Sequence, residues 1–520
     1  MAAAVVEPIA SYSLAAEGVF MLYDADSGDL RSLSGQGGAP AAATAEFYRS
    51  RGHERIPTGP GMDAPLSFTQ PGIVDAFINM LERYGTMTLA EVIAPAISYA
   101  EDGIPHYEYM LERLKSQSGQ EQFDNFPPGG WEVFYDDRGV PAPGTMMRQP
   151  GLANTLKSMR DASLATSGSR EESLQAGRNA FYEGPIAELI VEETRKVGGI
   201  LSMEDLAGYR SQFGEPGPML MQALNILENF DLKAMGHNSP AYIHTVAEAL
   251  KLCFGDREAF YGDPDFATVP IDGLLSKEYA AIRAEEIDPE GAYPEQRPAG
   301  DPWRFSKKTG RTAAQVMAQA LGPDTSADDG TTHVSVLDRH GNLVCGTISG
   351  GSFSKSVFFP ELGACLSTRI EMFNCEPGHP NVVEPGKRPR TTLVNYIVAR
   401  DGKPAMTFGC PGGDNQVQGN LQLILNSLVF GMDPQQAVEA PRFATSSNVN
   451  SFYPHVYYPG QLDLEEGFAD STVGALKALG HKIYRTANCG LGATVSVRDP
   501  ETGSMSTGAD PRRACYALAL

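Results

Sequence analysis

A threonine preceded by a glycine, in the run Gly330-Thr331-Thr332-His333-Val334, carries more chemistry than any other short segment of this sequence. A peptide bond broken ahead of Thr331 would leave one residue holding a hydroxyl and a free α-amine together. A threonine hydroxyl is a feeble nucleophile in water, but an α-amine of ordinary pKa about 7.7 to 8.0 accepts its proton near neutral pH. Before the break, the same hydroxyl could add to the carbonyl of Gly330 and give an ester that water resolves; a glycine there leaves room for the geometry. Two further groups could serve such a nucleophile. Cys410-Pro411-Gly412-Gly413 closes a predicted strand just ahead of a predicted helix over 416–430, where the backbone N–H groups of Gly412 and Gly413 could hold an oxyanion. A strand-to-helix turn also uses glycine for conformation alone, and the residues leave both readings open. Thr347 and Ser349 alternate onto one face of the strand that returns beside Thr331, where a hydroxyl could bond the nucleophile.

The elements that must hold these residues show in the pattern. VFMLYDADSGDLRSLS reads as a hairpin across Asp26-Ser27-Gly28, and GIVDAFINMLERYG, TLAEVIAPAISYAEDG, IAELIVEETRKVGG and SPAYIHTVAEALKLCFGDREAFYG carry helical periodicity. After Thr331, THVSVLD returns as NLVCGTIS across Arg339-His340-Gly341, and LVNYIVAR and PAMTFGC flank Asp401-Gly402, which predicts an antiparallel sheet. QVQGNLQLILNSLVFG is a predicted helix, another starts at Asp433-Pro434, and FADSTVGALKALGH precedes the strands HKIYRT and ATVSVRD. Strands framed by helices predict a layered α/β/β/α arrangement. Residues 115–150, rich in Gly and Pro, read as a long surface excursion, and 288–329 as a flexible tail leading to the cut.

A chain of 520 residues, 42% hydrophobic, can bury a large core. Its formal charge of -23, from 64 acidic against 41 basic residues, repels nucleic acid and anionic membranes. The seven cysteines form no C-x-x-C pair, so buried reduced thiols are expected rather than disulfides or a zinc ribbon. No metal or cofactor is called for. No run of eighteen apolar residues offers a membrane span, and the start lacks a basic segment and is interrupted by Glu7-Pro8. The expected location is cytoplasmic, or periplasmic if the true start lies upstream.

The stretches RYGTMTLAEVIAPAISYAEDG, FYEGPIAELI with VGGILSMEDLAGY, LNILENF, AEALKLCFGDREAFYGDPDF, TTHVSVLDRHGNLV, PGKRP, PGG and ADPRR occur in an order that resembles the gamma-glutamyltransferase (gamma-glutamyltranspeptidase) family of N-terminal-nucleophile hydrolases. The resemblance covers nearly the whole chain. It implies an αββα sandwich, self-cleavage between Gly330 and Thr331, and a heterodimer of residues 1–330 and 331–520, with a dimer of such heterodimers as the next level of assembly. Residue by residue, it implies Thr331 as nucleophile, Ser349 as its supporting hydroxyl, Gly412 and Gly413 as the oxyanion hole, and Thr391 and Thr392 as the pair that holds a substrate carboxylate.

Departures from the family pattern bear on the substrate. Gln36 stands where the family has a carboxylate-clamping arginine, Met372 where it has an aspartate for the ammonium group, and Gly351 where it has an asparagine. The family's first helix and glycine run are absent or altered, the latter reading AAEGVFML. Loss of such a ligand ion pair costs about 2 to 5 kcal/mol of binding, so glutathione is not the expected substrate. Asp414 with Asn415, Arg369 with Glu371, and Ser451-Phe452-Tyr453-Pro454-His455 are candidates for a different pocket; for Arg369 and Glu371 a solvated pair is the equal alternative. His333 and His340 are expected to be structural. The expected activity is hydrolysis of a small amide through an acyl-Thr331 intermediate. A glutathione hydrolase, a non-catalytic binding relative, and a Cys410 or Cys345 nucleophile are the rivals.

Overall fold

Alternation in EGVFMLY gives β1 (Glu17–Tyr23) two unlike faces, one with Phe20 and Leu22, the other with Glu17, Val19 and Met21. The computed structural model describes the whole chain except residues 10–11, 60–61, 117–119, 121–122, 124–128, 138, 215–216, 314–329, 351–354, 490–491, 500 and 519–520. Antiparallel to β1 runs β2 (Leu30–Gly35), whose other edge takes β3 (Gln212–Gly214). The hairpin of β4 (Thr331–Leu337) and β5 (Leu343–Ser349) joins β1 through β5, giving the order β3-β2-β1-β5-β4.

Apolar side chains of this sheet's outer face, Phe20, Leu22, Leu33 and Ile348, share a core with helices α1 (Ile73–Tyr84), α2 (Leu89–Asp102), α3 (Pro150–Ala165), α4 (Arg170–Tyr182) and α5 (Pro185–Lys196). Capping boxes start two of them: Thr88 with Glu91 at α2, and Ser169 with Glu172 at α4. Each such cap contributes about 1 kcal/mol.

The second sheet is also built on a hairpin. Asp401 and Gly402 sit at φ 52° and 76°, the left-handed pair of a type I′ turn, between β6 (Tyr396–Arg400) and β7 (Lys403–Gly409). A smaller sheet of β8 (Phe443–Thr445), β9 (Gln461–Glu465) and β10 (Lys482–Thr486) follows, with a parallel β9–β10 pair that the sequence pattern did not predict. β11 (Thr494–Arg498) and β12 (Met505–Ala509) return to β7, so the order is β6-β7-β11-β12. Helices α6 (Pro240–Phe260) and α7 (Asn415–Leu428) pack on this sheet in a second core through Leu250, Phe254, Leu421 and Ile424 against Phe408 and Val495; α8 (Pro434–Glu439) lies against β11 and β12.

The two sheets meet where β4 lies against β7 and β11, and β5 against β7. There His333 closes on Gly409, the last residue of β7: a Cβ at 409 would lie 2.2 Å from the imidazole ring. The fold is thus mixed helix and sheet, with antiparallel pairing throughout both large sheets. Among the described residues no helix is long and apolar enough to cross a membrane.

Two expectations are corrected. Residues 115–150 are more than a surface excursion, because Phe123, Phe134, Tyr135 and Met147 bury themselves with Met110 and Phe358 in a small core of their own. Nor are residues 288–313 a loose tail: Arg297 is buried against Glu248 at 2.7 Å, the Gly300 amide donates to Asp256 Oδ1 at 2.8 Å, and Trp303 packs on Phe260. The rest of that segment, 314–329, lies outside the described residues.

Because Gly409 is the contact that lets the sheets close at this end, Gly409→Ala should lower the unfolding free energy by about 1–3 kcal/mol, the usual cost of overpacking. Urea unfolding of the two proteins checks this; coincident midpoints would contradict it.

Candidate active site

Strand register, rather than any local motif, assembles the centre of the site. Ser349 lies opposite Thr331 across the β4–β5 pair and opposite Glu17 across the β1–β5 pair. Directly opposed residues project to the same face with Cβ atoms about 4.5–5.5 Å apart, so the three side chains form one row. All three are buried. The Ser349 hydroxyl donates to the carbonyl oxygen of Gly330 at 2.9 Å, which sets it on the peptide bond that precedes Thr331.

The next row behaves differently. Thr347 lies opposite His333, and its Oγ1 is 2.8 Å from the ring Nδ1 and 2.6 Å from Asn395 Oδ1. Burial pushes His333 down to about 4, so its ring stays neutral at physiological pH. Thr347 therefore serves the inter-sheet packing of His333, and of the two hydroxyls on this face only Ser349 is paired with Thr331.

Both chain ends hold the start of β4. Asp510 accepts hydrogen bonds from the Arg512 backbone and side chain, each at 3.0 Å, and pairs with the buried Arg442. This anchors the ADPRR segment so that Arg513 Nη1 donates to the Thr331 carbonyl at 3.0 Å. From the other terminus, Glu7 accepts a hydrogen bond from the Thr332 hydroxyl.

Gly412 and Gly413 occupy φ 123° and 54°, a backbone region that favours glycine. Their carbonyls accept from Asn415 and Gln416 at 2.9 and 3.1 Å as α7 begins, while their own amides donate to no backbone carbonyl among the described residues. Since His333 packs on Gly409, this turn lies at the same end of the sheets as Thr331.

Arg369 ties the row to the predicted substrate residues. Its Nε is 3.1 Å from Glu17 Oε1, and its Nη1 reaches Thr392 Oγ1 at 3.1 Å and Met372 Sδ at 3.3 Å. The guanidinium also lies over the Phe452 ring, 5.1 Å from its centroid. The alternative of a solvated Arg369–Glu371 pair is thus corrected. Both are fully buried, they serve different partners, and Glu371 accepts instead from the Tyr453 amide at 3.1 Å. Glu17 escaped the sequence reading; its one signal was an acidic residue opening an otherwise apolar strand.

A cavity of about 390 Å³ brings together Gln36, Thr391, Thr392, Gly413 and Asp414, while Thr331, Ser349, Gly412 and Met372 stand outside its lining. The Gln36 side-chain amide donates a hydrogen bond to the carbonyl of Pro389, which also lines the cavity. Asp414 is held by Arg257 and by the Ser451 hydroxyl and amide at 2.7 and 2.8 Å. Arg257, Arg388 and Arg390 also line the cavity and were not anticipated. Gly351 lies outside the described residues.

A thiol nucleophile does not fit. Burial pushes Cys345 and Cys410 up to about 12, which keeps both protonated and unreactive. The one cluster with metal-ligand composition among the described residues is His244, Glu248 and His481. Its donors are engaged: the Glu248 oxygens pair with Lys251 at 2.6 Å and Arg297 at 2.7 Å, and His244 Nδ1 lies 2.9 Å from His481 Nε2.

Relatives named as hydrolase and acylase proenzymes place this mixed helix-and-sheet chain in the class of amide hydrolases. More particularly, the chain belongs to the gamma-glutamyltranspeptidase family, whose model matches residues 1–520. It is 30% identical to the glutathione hydrolase proenzyme of Escherichia coli (strain K12), over 95% of this chain and 82% of that protein. It is 29% identical to the acylase ACY 1 proenzyme of Pseudomonas sp. (strain SE83), over 89% of this chain and 78% of the relative. The solved cephalosporin acylase from Bacillus halodurans is similar with a TM-score of 0.78 and 26% identity, covering 100% of this chain and 90% of that one.

Burial pushes Glu17 up to about 7 from its ordinary 4.5, against the pull of Arg369 and of the Gly37 amide. A carboxyl raised in this way contributes stability that is complete below its unfolded pKa and is lost as pH rises through about 7. Glu17→Gln should therefore remove a decline on the order of 3 kcal/mol between roughly pH 4.5 and 7.5. Urea unfolding of both proteins across that range tests it; parallel stability curves would count against it.

Proposed function

We propose that the chain cuts itself between Gly330 and Thr331 and that the exposed Thr331 then hydrolyses a small amide through an acyl-enzyme intermediate. The observation that carries this reading is the 2.9 Å hydrogen bond from Ser349 to the Gly330 carbonyl. A hydroxyl donor there polarises the carbonyl that the Thr331 hydroxyl must attack, and it stabilises the oxyanion as charge develops. In the first reaction the Thr331 oxygen adds to the Gly330 carbonyl carbon and the C–N bond breaks, giving an ester and a free α-amine. Water then cleaves the ester and leaves the Gly330 carboxylate. In the second reaction the α-amine takes the hydroxyl proton as Thr331 adds to a substrate carbonyl, and the same proton goes to the departing amine. Water resolves the acyl-threonine.

The amides of Gly412 and Gly413 are assigned to the substrate oxyanion; their left-handed backbone and their lack of backbone acceptors among the described residues support this. Thr391, Thr392, Gln36 and Met372 are assigned to the substrate, and Asp414 acts by holding the turn through Arg257 and Ser451. Helices outside each sheet and polar side chains between them support the four-layer αββα arrangement. The active species is a heterodimer of residues 1–330 and 331–520. An acylase or amidohydrolase fits better than a glutathione hydrolase, since neither Gln36 nor Met372 offers a charge to an amino-acid handle.

Purified protein should run as two fragments on a denaturing gel, whereas Thr331→Ala should remain one band at 55.8 kDa and Ser349→Ala should slow cutting by about 10- to 100-fold. Intact mass spectrometry decides it. Cleavage before residue 331 in the alanine variant, or a wild-type protein that stays whole, would defeat the proposal.

A further inference from the structure

β4 is the edge strand of its sheet, paired with β5 alone, so the residues that begin it take their remaining support from outside the ladder. Alternation sends the Thr331 side chain to the inner face and that of Thr332 to the outer one. Further along the outer face Val334 and Val336 are 44% and 58% exposed, so β4 is open to solvent there. At Thr332, by contrast, the strand meets Glu7, whose carboxylate accepts a hydrogen bond from the Thr332 hydroxyl. The same Glu7 oxygen lies 3.9 Å from Arg513 Nη2, while Arg513 Nη1 donates to the Thr331 carbonyl at 3.0 Å.

Glu7 stands on a fixed support. The short helix Ala2–Val6 ahead of it buries Ala4 and Val5 in the core shared with α2. The carbonyls of Val5 and Val6 accept from Gln149 Nε2 at 2.7 Å and from the Tyr107 hydroxyl at 2.9 Å, and Pro8 and Ile9 are buried just beyond. The carboxylate is therefore held on both sides of its own backbone, far in sequence from the strand it touches.

Addition of Thr331 Oγ1 to the Gly330 carbonyl carbon requires that neighbouring residues keep their orientation while the bond forms. Ser349 fixes the Gly330 carbonyl at 2.9 Å and Arg513 fixes the Thr331 carbonyl, which leaves residue 332 to Glu7. Resting on the self-cleaving amide-hydrolase reading, we propose that Glu7 is a positioning residue for the cut: by holding Thr332 from the outer face, it fixes Thr331 on the inner face as its hydroxyl attacks. Glu7 acts through the strand and touches no reacting atom.

Cell-free synthesis of the full chain with a labelled amino acid, followed by a chase, gives the first-order rate of cutting. Glu7→Ala and Thr332→Val should each slow it by about tenfold, and the double variant should be no slower than either single one, because both remove the same bond. Glu7→Gln, which keeps an acceptor oxygen, and Thr332→Ser, which keeps the hydroxyl, should restore most of the rate, a recovery that a general loosening of the first residues would not give. If Glu7→Ala does not fold, the comparison of Thr332→Val with Thr332→Ser decides the matter. Equal rates in wild type and Glu7→Ala, single effects that multiply to about 100-fold in the double variant, or no recovery in the conservative variants overturns the inference, while cutting of the wild type keeps the amide-hydrolase reading. A wild-type chain that stays whole removes that reading and the inference together.

Discussion

Burying polar groups between two sheets is the constraint on which the rest of this structure depends. The inner face of the first sheet carries the buried Glu17, Thr331, Thr347 and Ser349 with the half-buried His333 among them, and an inter-sheet space tolerates buried polar groups only when they find partners. The partners come from far along the chain: Arg369 for Glu17, Asn395 for Thr347, and the Gly330 carbonyl for Ser349. A one-residue slip in the β1–β5 or β4–β5 pairing would send this whole set into the apolar layer of helices. The register is therefore held from both sides, by apolar side chains that must face the helices and by polar ones that must not.

Much of the architecture could be read from local signals because its hairpins are local. Asp401-Gly402 announces a left-handed turn, Arg339-His340-Gly341 brings β5 back beside β4, and Asp433-Pro434 starts a helix for capping reasons alone. Thr331, Ser349 and the Gly412-Gly413 turn share that legibility, since each sits at the end of an element whose type the pattern reveals. Glu17 and Arg390 do not. Glu17 matters only because β1 pairs with a strand from the far side of the chain, and Arg390 only because the 388–392 segment lies against α6, where it shares Glu258 with Arg257. Neither fact has a footprint within a short window of sequence. The aromatic core formed by Phe123, Phe134 and Tyr135 was hidden by the glycines and prolines around it, which mark turns but say nothing of what the turns enclose.

Charge is spent on geometry here rather than on stability. The Arg257, Glu258, Arg390 and Asp414 set joins α6, the 388–392 segment and the start of α7 through buried pairs. Such pairs recover little net free energy once desolvation is counted, yet removing one member leaves a buried charge without compensation. The set therefore penalises any displacement of the Gly412-Gly413 turn relative to the cavity wall. Arg369 does the same between Glu17 and Thr392.

The strand order β3-β2-β1-β5-β4 interleaves the two halves of the chain within one sheet: the three strands before residue 330 and the two after it meet along the β1–β5 ladder. Severing the backbone ahead of Thr331 would leave that ladder untouched. The resulting pieces would be locked like the leaves of a zipped seam, unable to part without melting the sheet itself, so a nicked molecule should denature as one cooperative body and neither piece should persist folded in isolation.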